Sequence, residues 1–207
     1  LLSITLHQFG YDAVSFTGSQ SGIITTACHN NARILDIRCH RIRQSLKENR
    51  IVIVAGFQGV SERKEVTTLG RGGSDTTAVA LAAVLKAERC QIFTDVDGVF
   101  SANPHTLAAA RKLIALTYEE MLEIAYNGAG VLHPRAVEFA KKYEVPVEVL
   151  SSFSNYSGTI IQKERKTMEQ SAILAVTKDD GICSCLAQAD SLAEMRQVLE
   201  ILAENHI

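Results

Sequence analysis

Apolar positions along the chain follow two different spacings in turn. Short β-rich runs at 13–18 (AVSFTG), 33–37 (RILDI), 51–57 (IVIVAGF), 90–94 (CQIFT) and 145–151 (VPVEVLS) alternate with stretches of helical period at 41–48, 74–86, 117–126 and 134–143. Thr117 with Glu120 makes a capping box, and Pro134 suits a first helical turn. Continuous apolar strands between helices predict an α/β fold, with a mostly parallel sheet covered by helices on both faces. Leu2, Leu6 and Phe9 lie at helical spacing before Gly10, so the chain is expected to begin inside a helix. At the far end Ser191 and Glu194 form a second capping box. Behind it, Leu192, Met195, Val198, Leu199 and Leu202 mark one face of a helix running to Ile207. Such a face needs a neighbour, and the chain is expected to be part of a longer polypeptide. After the strand-like GTIIQ the composition turns polar through 162–170, and a further strand is predicted at 172–177. A domain boundary is placed near Lys163, giving a first unit of 1–163 and a remainder, 164–207, of about 44 residues, too small to fold alone.

Composition narrows the partners. With 207 residues, 46% of them hydrophobic and 21% charged, the chain can bury a sizeable core. The formal charge of −2 and the scattered Lys and Arg argue against a nucleic-acid surface or a polybasic membrane anchor. No apolar run approaches the roughly 18 residues of a membrane span. A small molecule or another protein is the expected partner, and the cytoplasm or an organelle stroma the expected compartment. Cys28, Cys39, Cys90, Cys183 and Cys185 form an odd set without CxxC, which suits reduced thiols. The pairs Cys28-His29 and Cys39-His40 are poor zinc sites, because adjacent ligands cannot easily both reach one tetrahedral ion, and no metal ligand set is assigned.

The stretch TTLGRGGSDTTAVALAAVLKA, 67–87, carries the first candidate chemistry. A glycine-rich turn before a helix aims backbone N–H groups outward at the positive end of the helix dipole, where an anion is favoured. Gly70, Gly72 and Gly73 let the backbone approach a ligand, and Arg71 adds a planar fork that can grip a carboxylate. Ser74 or Asp75 can cap the helix, and an Asp not used for capping can orient a nearby cation. The spacing fits neither the P-loop nor GxGxxG, so tight packing alone remains the competing explanation, and the residues by themselves name no ligand.

A second cluster is FTDVDGVFSANPH, 93–105. Asp95 and Asp97 follow the predicted strand end at Thr94, where ligands of open α/β sheets sit, and could hold a ribose or the waters around Mg²⁺. An Asx-turn with Gly98 in a left-handed conformation is the competing structural account.

At these residues the chain resembles a known family. SFTGSQSGIITT (15–26), HNNARI (29–34), VAGFQGV (54–60), the 67–87 stretch, TDVDGVFSANP (94–104), TYEEMLEIAYNGAGVLHPRAVEFA (117–140) and SSFSNYSGTII (151–161) look like aspartate kinase, in order and with matching gaps. The tail from 171 is similar to the first strand and helix of the regulatory ACT domain of that family. The resemblance implies an amino-acid kinase fold in which ATP, with Mg²⁺, phosphorylates the β-carboxylate of L-aspartate, opening the route to lysine, threonine and methionine. It implies that Arg71, Gly72, Gly73 and Ser74 hold the substrate carboxylate and that Asp75 orients a catalytic lysine. Thr94, Asp95, Phe100, His105, Gly130 and Val131 then line the nucleotide site, and ACT domains pair subunits into a homo-oligomer.

Departures from the pattern accompany the match. The N-terminal Lys-Phe/Tyr-Gly-Gly segment and the glutamate-bearing segment of the family are absent from these residues. Phe100 stands where a Tyr is usual, Asn103-Pro104-His105 where the family has Asp-Pro-Arg, and Gly130 where it has Lys. Two readings of different classes follow: a catalytic aspartate kinase represented by an incomplete chain, or a non-catalytic amino-acid-binding regulatory relative that pairs with other subunits. His29 and His133 are expected to be a loop residue and a helix-approach residue. Glu119, Glu120 and Glu123 form a cap and solvated face, Met121 and Leu122 belong to the core, and Ser151 and Ser152 close a strand.

Overall fold

In this computed structural model residues 1–164, 174–177 and 196 are described. The chain opens with α1 (Leu2–Gln8), β1 (Ala13–Phe16), β2 (Ile23–Thr25), β3 (Ile34–Ile37) and α2 (His40–Lys47). It continues through β4 (Ile51–Val54), β5 (Gln58–Ser61), β6 (Val66–Thr68), α3 (Gly73–Leu85) and β7 (Cys90–Thr94). β8 (Ala115–Thr117), α4 (Tyr118–Tyr126), α5 (Pro134–Tyr143), β9 (Val147–Ser151) and β10 (Thr159–Gln162) complete the described part. The strands form three sheets, β1-β4, β3-β2-β5-β6 and β7-β9-β10-β8. β1 with β4, β2 with β5, β7 with β9 and β8 with β10 pair in parallel; β2 with β3, β5 with β6 and β9 with β10 are antiparallel. The α/β class is as expected, while β2, β5, β6 and β8 were not foreseen.

The main core lies between the β7-β9-β10-β8 sheet and helices α3, α4 and α5. Val79, Leu116, Met121, Val137, Val149 and Ile161 are its buried centre, each contributing about 1.5–3 kcal/mol by leaving water. Along β9 the burial alternates, Val147, Val149 and Ser151 pointing inward, whereas Phe93 of β7 stays 60% exposed on the other side. A smaller core joins Phe16, Cys39 and Ile42 to Val52, Val54, Leu81, Val84 and Leu85. Helix α3 therefore contributes to both cores, which explains a sequence that is apolar around most of its circumference.

Helix ends follow local chemistry. Gly10 (φ 83) stops α1. Thr117 ends β8 and caps α4: its Oγ1 accepts the Glu120 N–H at 3.2 Å while the Glu120 carboxylate accepts the Thr117 N–H at 2.7 Å. Pro134 opens α5. At their trailing ends α3 and α5 close on left-handed residues that are not glycine, Lys86 (φ 57) and Glu144 (φ 53).

β10 ends one residue before the boundary placed near Lys163. Of the strand expected at 172–177, the described residues 174–177 are not in a strand. Leu174 and Ala175 pack on the main core, and the Val176 N–H donates to the Ser101 carbonyl at 2.8 Å. The C-terminal helix and its capping box lie outside the described residues but for Arg196, as do Cys183 and Cys185. Among the described residues no helix is long and apolar enough to cross a membrane.

Candidate active site

The glycine-rich stretch forms a tight loop ahead of α3. Leu69 is anchored by its N–H to the Phe57 carbonyl at 2.9 Å, and the chain turns through Gly70 (φ 74) and Gly72 (φ 69), with the Gly73 N–H donating to the Gly70 carbonyl at 2.9 Å. Gly72 is the N-cap, and no side chain caps the helix. That corrects the expectation that Ser74 or Asp75 would cap. Gly73 is already the first helical residue, so Ser74 and Asp75 fall inside the first turn, beyond the capping position. The N–H groups of Ser74 and Asp75 consequently find no backbone acceptor among the described residues, and they sit at the positive end of a buried helix. Thr76 and Thr77 turn their hydroxyls back onto the Gly72 and Gly73 carbonyls at 2.9 and 2.7 Å, which stiffens the turn.

Gly72 is required twice over. Its φ is left-handed, and a Cβ there would stand 2.2 Å from both Cβ and Cγ of His133. His133 caps α5, its Nδ1 accepting the Arg135 N–H at 3.2 Å, so its neutral ring carries the proton on Nε2. Burial first, then the Arg135 and Arg71 charges, hold its pKa below the usual 6.5. Asp75 is half-buried. Burial pushes its carboxyl up from 3.8, with the His133 backbone N–H and imidazole pulling the other way. Arg71 is exposed and forms no side-chain hydrogen bond or ion pair among the described residues.

The second cluster begins at the end of β7. Thr94 Oγ1 donates to Asp95 Oδ1 at 3.0 Å, and the Ser152 N–H donates to the Thr94 carbonyl at 2.7 Å. Asp97 Oδ1 accepts from the Ser154 hydroxyl at 2.8 Å, so this carboxylate ties the loop after β7 to the loop after β9. Gly98 does have a positive φ, 137°, and a Cβ there would come within 2.6 Å of Thr159 Oγ1. That buried hydroxyl accepts the Val99 N–H at 2.8 Å and donates to the Leu113 carbonyl at 2.6 Å. Phe100 is half-buried and bridges to Lys112. His105 lies in an exposed turn, its N–H bonded to Asn103 Oδ1 at 2.9 Å; none of its hydrogen bonds or ion pairs among the described residues reaches another candidate. Gly130 is exposed, with nothing within 4 Å of an added Cβ, and Val131 packs on the core.

Topology aims both clusters the same way. Short connections join α3 to β7 and α5 to β9, and these strands are parallel with Thr94 opposite Ser151. The N-termini of both helices therefore point toward the carboxyl ends of the strands, the edge where ligands of such sheets bind. Gly56, just past β4, also lies against Ser74 and Thr77. Arg71 to Asp75 and the 130–135 segment meet through Gly72 and His133; Thr94 and Asp97 meet the 151–154 loop. Arg135 and Thr159, which hold these segments together, were not singled out from sequence. Pro134-Arg135 at a helix start was the available signal for the first; a Thr inside a short strand offers none for the second.

The donor set bears on a metal as well. Among the described residues no three His, Cys, Asp or Glu side chains cluster. Asp95 and Asp97 offer hard oxygens, a set that suits Mg²⁺ carried mainly by nucleotide phosphates and water and not by a protein cage.

Residues 1–151 match the model of the amino acid kinase family. The chain is 62% identical over 174 residues to the aspartokinase of Geobacillus stearothermophilus, an alignment covering 84% of this chain and 42% of that protein. It is similar in structure to aspartate kinase from Synechocystis, with a TM-score of 0.68 and 45% identity, covering 82% of this chain and 27% of that one. E. coli aspartokinase III in complex with aspartate and ADP is similar with a TM-score of 0.71 and 31% identity, over 78% of this chain and 37% of that one. The chain thus spans about half the length, or less, of the curated relatives it matches.

Proposed function

The chain belongs to the amino acid kinase family, and from that premise we propose that the complete protein is an aspartate kinase. An oxygen of the β-carboxylate of L-aspartate attacks the γ-phosphorus of ATP, the bond to the β-phosphate oxygen breaks, and ADP leaves 4-phospho-L-aspartate. The nucleophile is already ionised, so the protein's work is positioning and charge neutralisation. In this reading the loop residues Arg71, Gly72, Gly73 and Ser74 take the substrate carboxylate, with the unpaired Ser74 amide as a backbone donor. Asp75 orients the cation that meets the transferred phosphoryl. Thr94, Asp95, Phe100, His105, Gly130 and Val131 border the nucleotide. Mg²⁺ bound on the phosphates supplies charge neutralisation, with Asp95 and Asp97 as the residues able to hold its waters.

One observation carries the reading: an uncommitted guanidinium beside free amides at the start of a rigid helix. The likeness to E. coli aspartokinase III, whose complex holds aspartate and ADP, supports the choice of ligands. The product leads toward lysine, threonine and methionine in the cytoplasm, and pairing through ACT-like segments belongs to the same proposal. Titration calorimetry of L-aspartate into the complete protein tests it. Uptake lost in Arg71→Ala is expected; no uptake by the wild type, or unchanged uptake by the variant, refutes it.

A second reading, an amino-acid-binding regulatory relative without turnover, draws on the absence of a side chain at exposed Gly130 and on His105, a weaker cation than Arg at neutral pH. ADP release in the presence of both substrates decides between the two.

A further inference from the structure

Two arginines stand at the glycine loop and do different things. Arg71 is exposed and uncommitted, whereas the guanidinium of Arg135 is half-buried and bonded through both terminal nitrogens. One Nη of Arg135 donates to the Leu69 carbonyl and the other to the Ala32 carbonyl, both at 2.7 Å, although these residues lie 66 and 103 positions away in sequence. Leu69 and Ala32 are themselves buried.

The segments that carry these two carbonyls meet at Gly70. Leu69 precedes it, and the 30–32 segment packs over it: Asn30 O and Asn31 Oδ1 stand 2.9 and 3.3 Å from where its Cβ would be. The Ala32 N–H donates to the Thr68 carbonyl at 2.9 Å, and the Thr68 N–H to the His29 carbonyl at 2.8 Å. One fork therefore joins the loop between β2 and β3, the glycine loop and the start of α5. The adjacent His133 ring presses on Gly72, two residues further along the same loop.

We propose that Arg135 is the positioning residue of the acid-binding loop, fixing the Leu69 carbonyl and thereby where Arg71 and the free amides of α3 point. Resting on the reading of that loop as the L-aspartate site, the proposal adds a residue that never touches the substrate. A planar fork is needed because two carbonyls from different segments must be held at once, and a lysine ammonium offers a point charge in place of that geometry. Charge-assisted bonds to both carbonyls offset the partial burial of the cation.

The test compares Arg135→Lys and Arg135→Ala in the complete protein, measuring KM for L-aspartate, KM for ATP and thermal midpoint. Arg135→Ala should raise KM for L-aspartate about tenfold or more, as misplacing a recognition loop does, while KM for ATP moves little. Arg135→Lys should recover the midpoint more fully than L-aspartate affinity, and added guanidinium should rescue affinity in Arg135→Ala. Full recovery of L-aspartate KM by lysine, or equal shifts in both KM values, overturns the proposal. If the wild type takes up no L-aspartate, the acid-site reading fails, and hydrogen exchange across 68–76 then judges the clamp. Faster exchange in Arg135→Lys upholds it, and unchanged exchange overturns it.

Discussion

Replacing Gly72 by alanine sets two separable costs on one atom. At φ 69 an alanine occupies the left-handed region, which costs about 1–2 kcal/mol for a residue with a Cβ. That Cβ would also stand 2.2 Å from two His133 carbons. Neither partner can retreat easily, because His133 caps α5 and Gly72 caps α3, so relieving the overlap shifts a helix start at a further cost of about 1–3 kcal/mol. The sum is roughly 2–5 kcal/mol. Gly10→Ala is the control: its φ is 83°, with nothing within 4 Å of the new Cβ, so it incurs the conformational cost alone. Unfolding midpoints of the two variants, with calorimetric L-aspartate uptake, form the assay. Gly72→Ala should be the less stable by the steric share and should lose uptake. Equal midpoints would refute the claim that close approach to His133, and not only backbone conformation, demands glycine.

Three further outcomes follow from the same geometry. Thr117→Ala removes one half of the α4 capping box and should lower stability by about 1 kcal/mol, read by chemical denaturation. Asp75 has a folded pKa raised above its unfolded 3.8 by burial, so its protonated form is the one favoured by folding. Its stabilisation is present below the unfolded value and lost as pH rises through the folded one; Asp75→Asn should therefore raise the thermal midpoint at neutral pH while abolishing turnover. Gly130→Lys meets open space and restores a cation, so ATP affinity should rise by about 1 kcal/mol, roughly fivefold; with His105→Arg added, unchanged nucleotide titrations would remove both positions from the nucleotide site.

Helices were the legible part of the fold, because their apolar faces repeat over several turns. The expected helices at 41–48 and 74–86 are offset from α2 and α3 by one residue at both ends, the one at 117–126 differs from α4 by its first residue, and α5 matches 134–143. Four short strands, β2, β5, β6 and β8, were not legible, and two of them show why. β5 reads QGVS, too polar for a strand signal, yet Gly59 has to lack a Cβ because Thr25 Cγ2 would stand 2.5 Å from it. β8 is three residues long and hands Thr117 directly to α4 as its cap. The run expected to extend to Phe57 stops at Val54, since Phe57 takes a left-handed φ of 70°. In the candidate site, local spacing located the glycine loop and the Thr94 strand end. Only long-range contact distinguishes an arginine bonded to two backbone carbonyls from one left open to solvent.

Lys86 closes α3 in a conformation that a side chain occupies at a cost. A glycine there would relieve local strain, although it would also enlarge the freedom of the unfolded chain. The local strain of the helix that supports the glycine loop thus sits at the end opposite the loop, where it borders the turn into β7.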